Sequence, residues 1–116
     1  MNMSGISIVF VTAGSEEQAA TIGRTLVNER LAACANIVPH IRSIYRWKGQ
    51  IYDEQEFLVI IKTRTELFDL LQERVKALHS YEVPEIVSFT VSSGLQEYLE
   101  WVKKETGEGS GGSQDG

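Results

Sequence analysis

Side chains able to bind a metal ion or act as a nucleophile are few in this sequence. It contains one cysteine, Cys34, and two histidines, His40 and His79. A single cysteine excludes an intramolecular disulfide framework and any zinc site built from paired cysteines. A metal site within one chain would therefore have to combine a histidine with carboxylate oxygens or water.

His79 is the strongest candidate for binding chemistry. It stands where a predicted helix ends, just before the segment Ser80–Pro84. One interpretation is a C-terminal helix residue that bonds the last carbonyl groups and faces the negative end of the helix dipole. The other is a metal ligand at a cleft between subunits, with Glu82 or Glu85 as oxygen partners, because imidazole binds divalent copper readily.

Cys34 and His40 are better suited to structural roles. Cys34 lies among alanines in the segment Leu31–Ala35. A lone cysteine with small apolar neighbours and no positive charge nearby is expected to be a buried filler. His40 follows Pro39 at a predicted kink in a strand, and we expect it to be exposed rather than a ligand.

Aromatic and basic residues alternate in the segment Tyr45–Lys48. Such a group can stack on nucleic-acid bases, but four residues in an acidic chain favour a contact between subunits, where Trp, Tyr and Arg are enriched. Basic residues at strand ends could also line a cleft between subunits and receive a small anion. The predicted cleft residues are Arg46, Trp47, Lys62, Arg64, Tyr81 and Glu82.

Motifs of enzyme active sites are missing. The sequence has no Gly-rich phosphate loop, no nucleophile elbow and no Cys–His pairing that can be read from spacing. Glu16, Glu17 and Glu66 are accounted for as helix-cap residues. We therefore expect a protein that is not an enzyme.

Length and composition limit the chain to one domain. Its 116 residues are 42% hydrophobic and 23% charged, enough to bury a core. The net charge of −5 argues against general nucleic-acid binding. Its apolar runs are far shorter than the ~20 residues that span a bilayer, and no signal peptide is visible. We expect a cytoplasmic protein with a domain over residues 4–106 and a disordered Gly/Ser-rich tail over residues 107–116.

The hydrophobic pattern alternates between strand and helix periods. Capping signatures that begin at Ser15, Thr63 and Ser93 predict three helices. The predicted strands are Ile6–Thr12, Cys34–Trp47, Ile51–Lys62 and Ile86–Val91. The order β-α-β-β-α-β with a C-terminal helix predicts an α+β, ferredoxin-like fold, the split βαβ, with two helices on one face of a four-stranded sheet.

The second and third strands form an unusually long predicted hairpin around Lys48-Gly49-Gln50. About a dozen residues at ~3.3 Å each give roughly 40 Å, twice a typical strand. Two helices cannot cover such an overhang, which carries Ile44, Ile51 and Phe57. A bare edge strand pairs readily with other chains, so we expect a closed oligomer rather than a monomer.

Several stretches resemble the CutA family of divalent-cation tolerance proteins, in family order and across most of residues 6–102. They are Glu29–Pro39, Ile41–Gly49, Ile60–Arg64, Leu78–Ile86 and Glu97–Trp101. The resemblance implies a ferredoxin-like subunit in a tight homotrimer, similar in assembly to the PII signalling proteins. It also implies a role in tolerance of copper and other divalent ions, with no established chemical reaction.

The resemblance further implies a copper site made of a first-strand cysteine and two adjacent histidines at the end of the second helix. The corresponding positions here hold Val11, Leu78 and His79. Valine and leucine have no lone pair for a metal, so His79 is the single metal-binding residue that carries over.

These observations predict a homotrimer that binds Cu(II) or another divalent cation weakly and needs no cofactor to fold. Association should bury the overhang and give high stability. The alternative is a non-enzymatic, PII-like regulatory or scaffold trimer that binds a small anion or a partner protein in its inter-subunit clefts. Apart from self-association, we expect neither nucleic acid nor membrane as a partner.

Overall fold

The computed structural model describes residues 4–107, and the predicted tail beyond Gly107 lies outside them. The elements in chain order are β1 (Ile6–Ala13), α1 (Glu16–Asn28), β2 (Cys34–Trp47), β3 (Gln50–Arg64), α2 (Phe68–Leu78), β4 (Ile86–Thr90) and α3 (Gln96–Lys104). A single 3₁₀ turn, Thr65–Leu67, leads into α2. None of the helices in these residues is long and apolar enough to cross a membrane.

The four strands form one antiparallel sheet in the order β2-β3-β1-β4. β1 lies between β3 and β4 and is the strand whose residues are apolar on both faces of the sheet. The predicted α+β fold with four strands and three helices is therefore confirmed.

One face of the sheet is covered by α1 and α2. Alternate residues of β1, beginning at Val9, point into this face and pack against Ile22 and Leu26 of α1 and Leu71 and Val75 of α2. All of these side chains are fully buried. This core fixes the ends of β1 and α2, the two elements that meet at His79.

The opposite face of the sheet is largely uncovered. The strand registers place apolar side chains side by side on it: Ile8, Phe10, Leu58, Ile60, Val87 and Phe89. We call this set the open face. The Phe10 and Phe89 rings meet edge to face at 5.0 Å, and Phe89 is still 50% exposed. The helix α3 covers only the end of the face at Ile6, through Leu99 and Val102.

The helix starts were predicted with mixed success. Ser15 caps α1 as predicted, and its Oγ accepts a hydrogen bond from the Gln18 N–H at 3.1 Å. The predicted cap at Thr63 is wrong, because β3 continues through this residue and its hydroxyl donates to the Leu31 carbonyl at 2.7 Å. The predicted cap at Ser93 is also wrong, because α3 begins after Leu95 without a side-chain cap.

The hairpin β2–β3 is long and bent. Pairing shifts between Val38 and Ile41, so Pro39 and His40 form a bulge, and His40 has a φ of 60°. At the tip, Lys48 and Gly49 both have positive φ, as in the tight turns that suit hairpin twist. The hairpin contributes to the elongated shape of the chain, which measures 48 × 28 × 22 Å.

Two arginines fix the C-terminal end of the described chain. Arg30 donates to the carbonyl oxygens of Lys104 and Gly107 at 2.8 and 2.9 Å. Arg64 donates to those of Lys103 and Thr106 at 2.6 and 3.0 Å. Guanidinium groups at a helix C-terminus satisfy its free carbonyls and its dipole. Gly107, which was predicted to begin the tail, is thus hydrogen-bonded to Arg30.

Candidate functional site

His79 connects the end of α2 to the end of β1. Its backbone N–H donates to the Val75 carbonyl at 2.9 Å, as in a helix C-cap. Its Nδ1 lies 3.1 Å from the Tyr81 N–H and its Nε2 lies 2.7 Å from the Thr12 carbonyl. Since the amide can only donate, Nδ1 accepts and Nε2 carries the hydrogen donated to Thr12. Both ring nitrogens of a neutral imidazole are therefore engaged.

The residues around His79 do not fit a copper centre within one chain. A metal ion needs a free nitrogen lone pair, and binding at Nδ1 would displace the Tyr81 N–H. Within residues 4–107, no three His, Cys, Asp or Glu side chains are grouped so that they could hold a metal ion. Metal binding by His79 stays a prediction.

The loop 79–85 and the hairpin β2–β3 enclose a cavity of about 610 Å³, which we call the hairpin pocket. Small-molecule sites usually fall between ~300 and 1,000 Å³. Aromatic and acidic side chains dominate its walls: Tyr45, Trp47, Tyr81, Glu56, Glu82 and Glu85. The hydrogen bonds of His79 hold the loop against the sheet and so form one side of this pocket.

A buried carboxylate forms the floor of the hairpin pocket. Glu56 is only 5% exposed, and its Oε2 accepts a hydrogen bond from the Tyr81 hydroxyl at 2.6 Å. A Cβ atom at Gly14 would lie 3.0 Å from that hydroxyl, so a side chain there would press on the Tyr81 ring. Burial and then the bond to Glu56 raise the pKa of the Tyr81 phenol above its usual value.

A second tyrosine and carboxylate pair lies along the hairpin. The Tyr45 hydroxyl donates to Glu54 at 2.7 Å, and its ring stacks on Tyr52 with the ring centres 5.3 Å apart. The bond to Glu54 is the main cause that raises the pKa of Tyr45 to about 12, with smaller contributions that include the charge of Glu56. Both phenols therefore stay protonated at neutral pH.

Two cationic side chains lie at the pocket: Arg42, which lines it, and Lys48, which contacts two of its lining residues. Lys48 lies 3.4 Å from a Glu82 carboxylate oxygen and 5.5 Å from the centre of the Trp47 ring. Arg42 makes two hydrogen bonds to Asp53, at 2.8 and 2.6 Å, which lower the pKa of that carboxyl group. Each of these two cations thus already has a carboxylate partner.

The structure brings together half of the predicted cleft residues. Trp47, Tyr81 and Glu82 all line the hairpin pocket, whereas Arg46 belongs to β2 but is not among the lining residues. Lys62 lies farther along β3 and donates to the Asn36 side chain. Arg64 is engaged with the end of α3.

The remaining candidates lie elsewhere. Cys34 is half-buried rather than fully buried, and its Sγ lies 3.5 Å from the Asn36 side-chain oxygen. Burial, with Cys34 nearby, raises the pKa of Tyr98. His40 is exposed as expected, and its Nδ1 lies 2.8 Å from Gln55 Nε2.

Comparison with known proteins identifies the family. The family model described as "CutA1 divalent ion tolerance protein" matches residues 7–105. The chain belongs to the CutA1 family. A CutA1 relative named divalent-cation tolerance protein CutA, from Thermus thermophilus, is 54% identical over 100 residues, which cover 86% of this chain and 97% of the relative. A solved structure titled divalent cation tolerance protein from the same organism superposes with a TM-score of 0.86 at 53% identity, covering 88% of this chain and 99% of that one.

Another CutA1 relative is a longer protein. The rice protein CutA 1, named as chloroplastic, is 45% identical over 101 residues. The match covers 87% of this chain but only 57% of the rice protein. The chain therefore spans little more than half the length of that relative.

Sequence reasoning missed Glu56, the central residue of this CutA1 pocket. It lies in the polar run Asp53–Glu56, which resembles a solvated strand face. Its hydrogen-bond partner, Tyr81, is 25 residues away along the chain. Local periodicity contains no signal for that contact, although the apolar residues that follow in β3 do indicate a strand entering the core.

Proposed function

We propose that the chain works in divalent-cation tolerance as a non-enzymatic homotrimer whose functional centre is the hairpin pocket. The observation that carries this proposal is the pocket itself, with a buried carboxylate and three aromatic rings in a cavity of about 610 Å³. Ligand sites combine apolar and aromatic walls with placed polar groups, and this pocket places three carboxylates beside its aromatic rings. This proposal corresponds to the regulatory alternative predicted from the sequence, and we keep its cytoplasmic location as part of it.

The trimer is supported by the surfaces that one chain leaves uncovered. The strand order β2-β3-β1-β4 leaves β2 and β4 at the edges of the sheet, and we keep the predicted ferredoxin-like arrangement as part of the proposal. The open face and both free edges would be covered if the hairpin of one subunit paired with a neighbour. In such a ring, the hairpin pocket would lie near a subunit boundary.

The function can be tested in cells that lack their own member of this family and are grown under copper stress. We expect the full chain to restore growth and Trp47→Ala, which removes a pocket wall, to fail. Trp101→Ala is the matched control, since Trp101 lies on α3 outside the pocket and is 40% exposed. Failure of the unaltered chain, or full rescue by Trp47→Ala, would contradict the proposal.

Weak copper binding at His79 is the second candidate. The observation in its favour is that the imidazole lies half-buried beside the pocket, where Nδ1 is blocked only by one amide hydrogen bond of 3.1 Å. Calorimetric titration of Cu(II) should then show one site per subunit that is lost in His79→Ala and kept in His40→Ala. Equal heats in all three proteins would assign binding to adventitious groups.

A further inference from the structure

The floor of the hairpin pocket holds a negative charge without a counter-ion. Glu56 is the one charged side chain buried among residues 4–107. The Tyr81 hydroxyl donates a hydrogen bond to Glu56 Oε2, and Glu56 Oε1 has no hydrogen-bond partner among the described residues. A buried carboxylate without a positive partner lowers the free energy of unfolding, because its charge has lost its hydration. A cation that enters the pocket would compensate for that cost.

The charges around Glu56 also favour a cation in the pocket. Glu82 and Glu85 also line the pocket, and the one basic lining residue, Arg42, is already paired with Asp53. The pKa values of the two lining tyrosines are both raised, partly by the charge of Glu56. The pocket is therefore negative, which is unsuited to the small anion expected from the sequence.

The pocket wall already binds one ammonium group of the chain itself. The Lys48 ammonium lies over the Trp47 ring at 5.5 Å and beside the Glu82 carboxylate at 3.4 Å. Cations are attracted to aromatic faces in this way. Trp47 and Glu82, which both line the pocket, thus already combine the aromatic ring and the carboxylate that recognise an ammonium ion.

The dimensions of the pocket favour an organic cation over a metal ion. A metal ion needs several donors that converge on one point, and among the described residues no three such side chains are grouped. The carboxylates are instead spread over a cavity of about 610 Å³ with aromatic walls. That space suits a hydrocarbon body with ammonium groups at its ends.

We propose that the hairpin pocket binds a small aliphatic amine, with one ammonium group on Glu56 and its carbon chain against Trp47 and Tyr45. This inference rests on the proposed function, because it names the ligand class of the same site. The partner is defined by its chemistry: positively charged ends that pair with carboxylates and a flexible apolar middle that contacts aromatic rings.

The test is calorimetric titration of the full chain at low ionic strength with putrescine, a diammonium compound, and with succinate, an anion of similar length. We expect putrescine to bind and succinate not to bind. Glu56→Gln keeps an acceptor for the Tyr81 hydroxyl but removes the charge, and we expect it to weaken putrescine binding at least about tenfold. Glu73→Gln, an exposed change on α2, is the matched control and should bind like the unaltered chain.

A second readout locates the ligand. The chain has two tryptophans, so Trp101→Phe leaves Trp47 as the only one, and putrescine should change its fluorescence. That change should disappear when Glu56→Gln is added. Absence of putrescine binding, binding of succinate instead, or equal affinity in Glu56→Gln would overturn the inference.

Failure of this inference can be distinguished from failure of the proposed function. If the chain is trimeric and restores growth through the pocket but does not bind putrescine, only the ligand class is wrong. If putrescine binds through Glu56 but the chain is monomeric or does not restore growth, the ligand class is supported and the proposed function is wrong.

Discussion

At the scale of single residues, the loop 79–85 is positioned by two side chains with different tasks. His79 uses both ring nitrogens to tie the end of α2 to Thr12 and to the Tyr81 N–H. Tyr81 then extends its hydroxyl to Glu56, the buried carboxylate. Hydrogen bonds to a charged partner contribute about 1.5–3 kcal/mol, so this second contact is the stronger of the two.

The Tyr81 contact predicts a pH dependence of stability. Its phenol has a folded pKa above the usual 10.0, so the stabilisation is complete below pH 10 and is lost as the pH rises through the folded pKa. We expect Tyr81→Phe to lower the free energy of unfolding by about 2 kcal/mol at neutral pH. The difference from the unaltered chain should narrow as the pH rises above 10.

Urea unfolding at several pH values measures the difference in the free energy of unfolding between Tyr81→Phe and the unaltered chain. Phenolate absorbance recorded on the same samples follows the ionisation of the phenol. A difference that stays constant from neutral to strongly alkaline pH would show that the phenol makes no favourable bond to Glu56.

At the scale of elements, local sequence explains most of the fold and little of the pocket. The central strand β1 and the turn at Lys48-Gly49 could be predicted because apolar runs and positive-φ residues act within a few positions. The Thr63 cap was wrong because its hydroxyl bonds Leu31, 32 residues away. Contacts of this length, like that of Tyr81 with Glu56, leave no periodic signal in the sequence.

Arg64 also makes contacts with residues that are distant along the chain. It resembled a cleft cation in the sequence, but it anchors α3 through the Lys103 and Thr106 carbonyls. We expect Arg64→Met to lower the free energy of unfolding by about 2 kcal/mol and to speed hydrogen exchange of the α3 amides.

Arg24→Met removes an equal charge from α1 and should have almost no effect, since Arg24 is exposed and lies outside the hairpin. Urea unfolding and amide exchange at one protein concentration compare the two variants. If Arg64→Met matched Arg24→Met in both measurements, the anchoring role would be refuted.

At the scale of the whole molecule, the uncovered surfaces are the basis of the proposed trimer. The helix face of the sheet is closed by α1 and α2, whereas the open face leaves Val87 43% and Phe89 50% exposed. Large exposed apolar patches mark interaction sites. Because these residues adjoin a free strand edge, a second copy of the chain can cover both with one contact.

Phe89→Lys tests whether other copies of the chain cover the open face. A lysine in the open face would have to be buried without a partner in the trimer, which costs several kcal/mol, roughly, per subunit. Light scattering at low micromolar concentration should give about three times the chain mass of 13.0 kDa for the unaltered protein and a single chain for the variant. Leu70→Lys is the matched control, because Leu70 is 61% exposed on α2, away from the open face, and should leave the trimer intact.

Circular dichroism confirms that each variant is folded. A monomeric unaltered chain would remove the reason for the apolar open face, and a trimeric Phe89→Lys would place the interface elsewhere on the molecule.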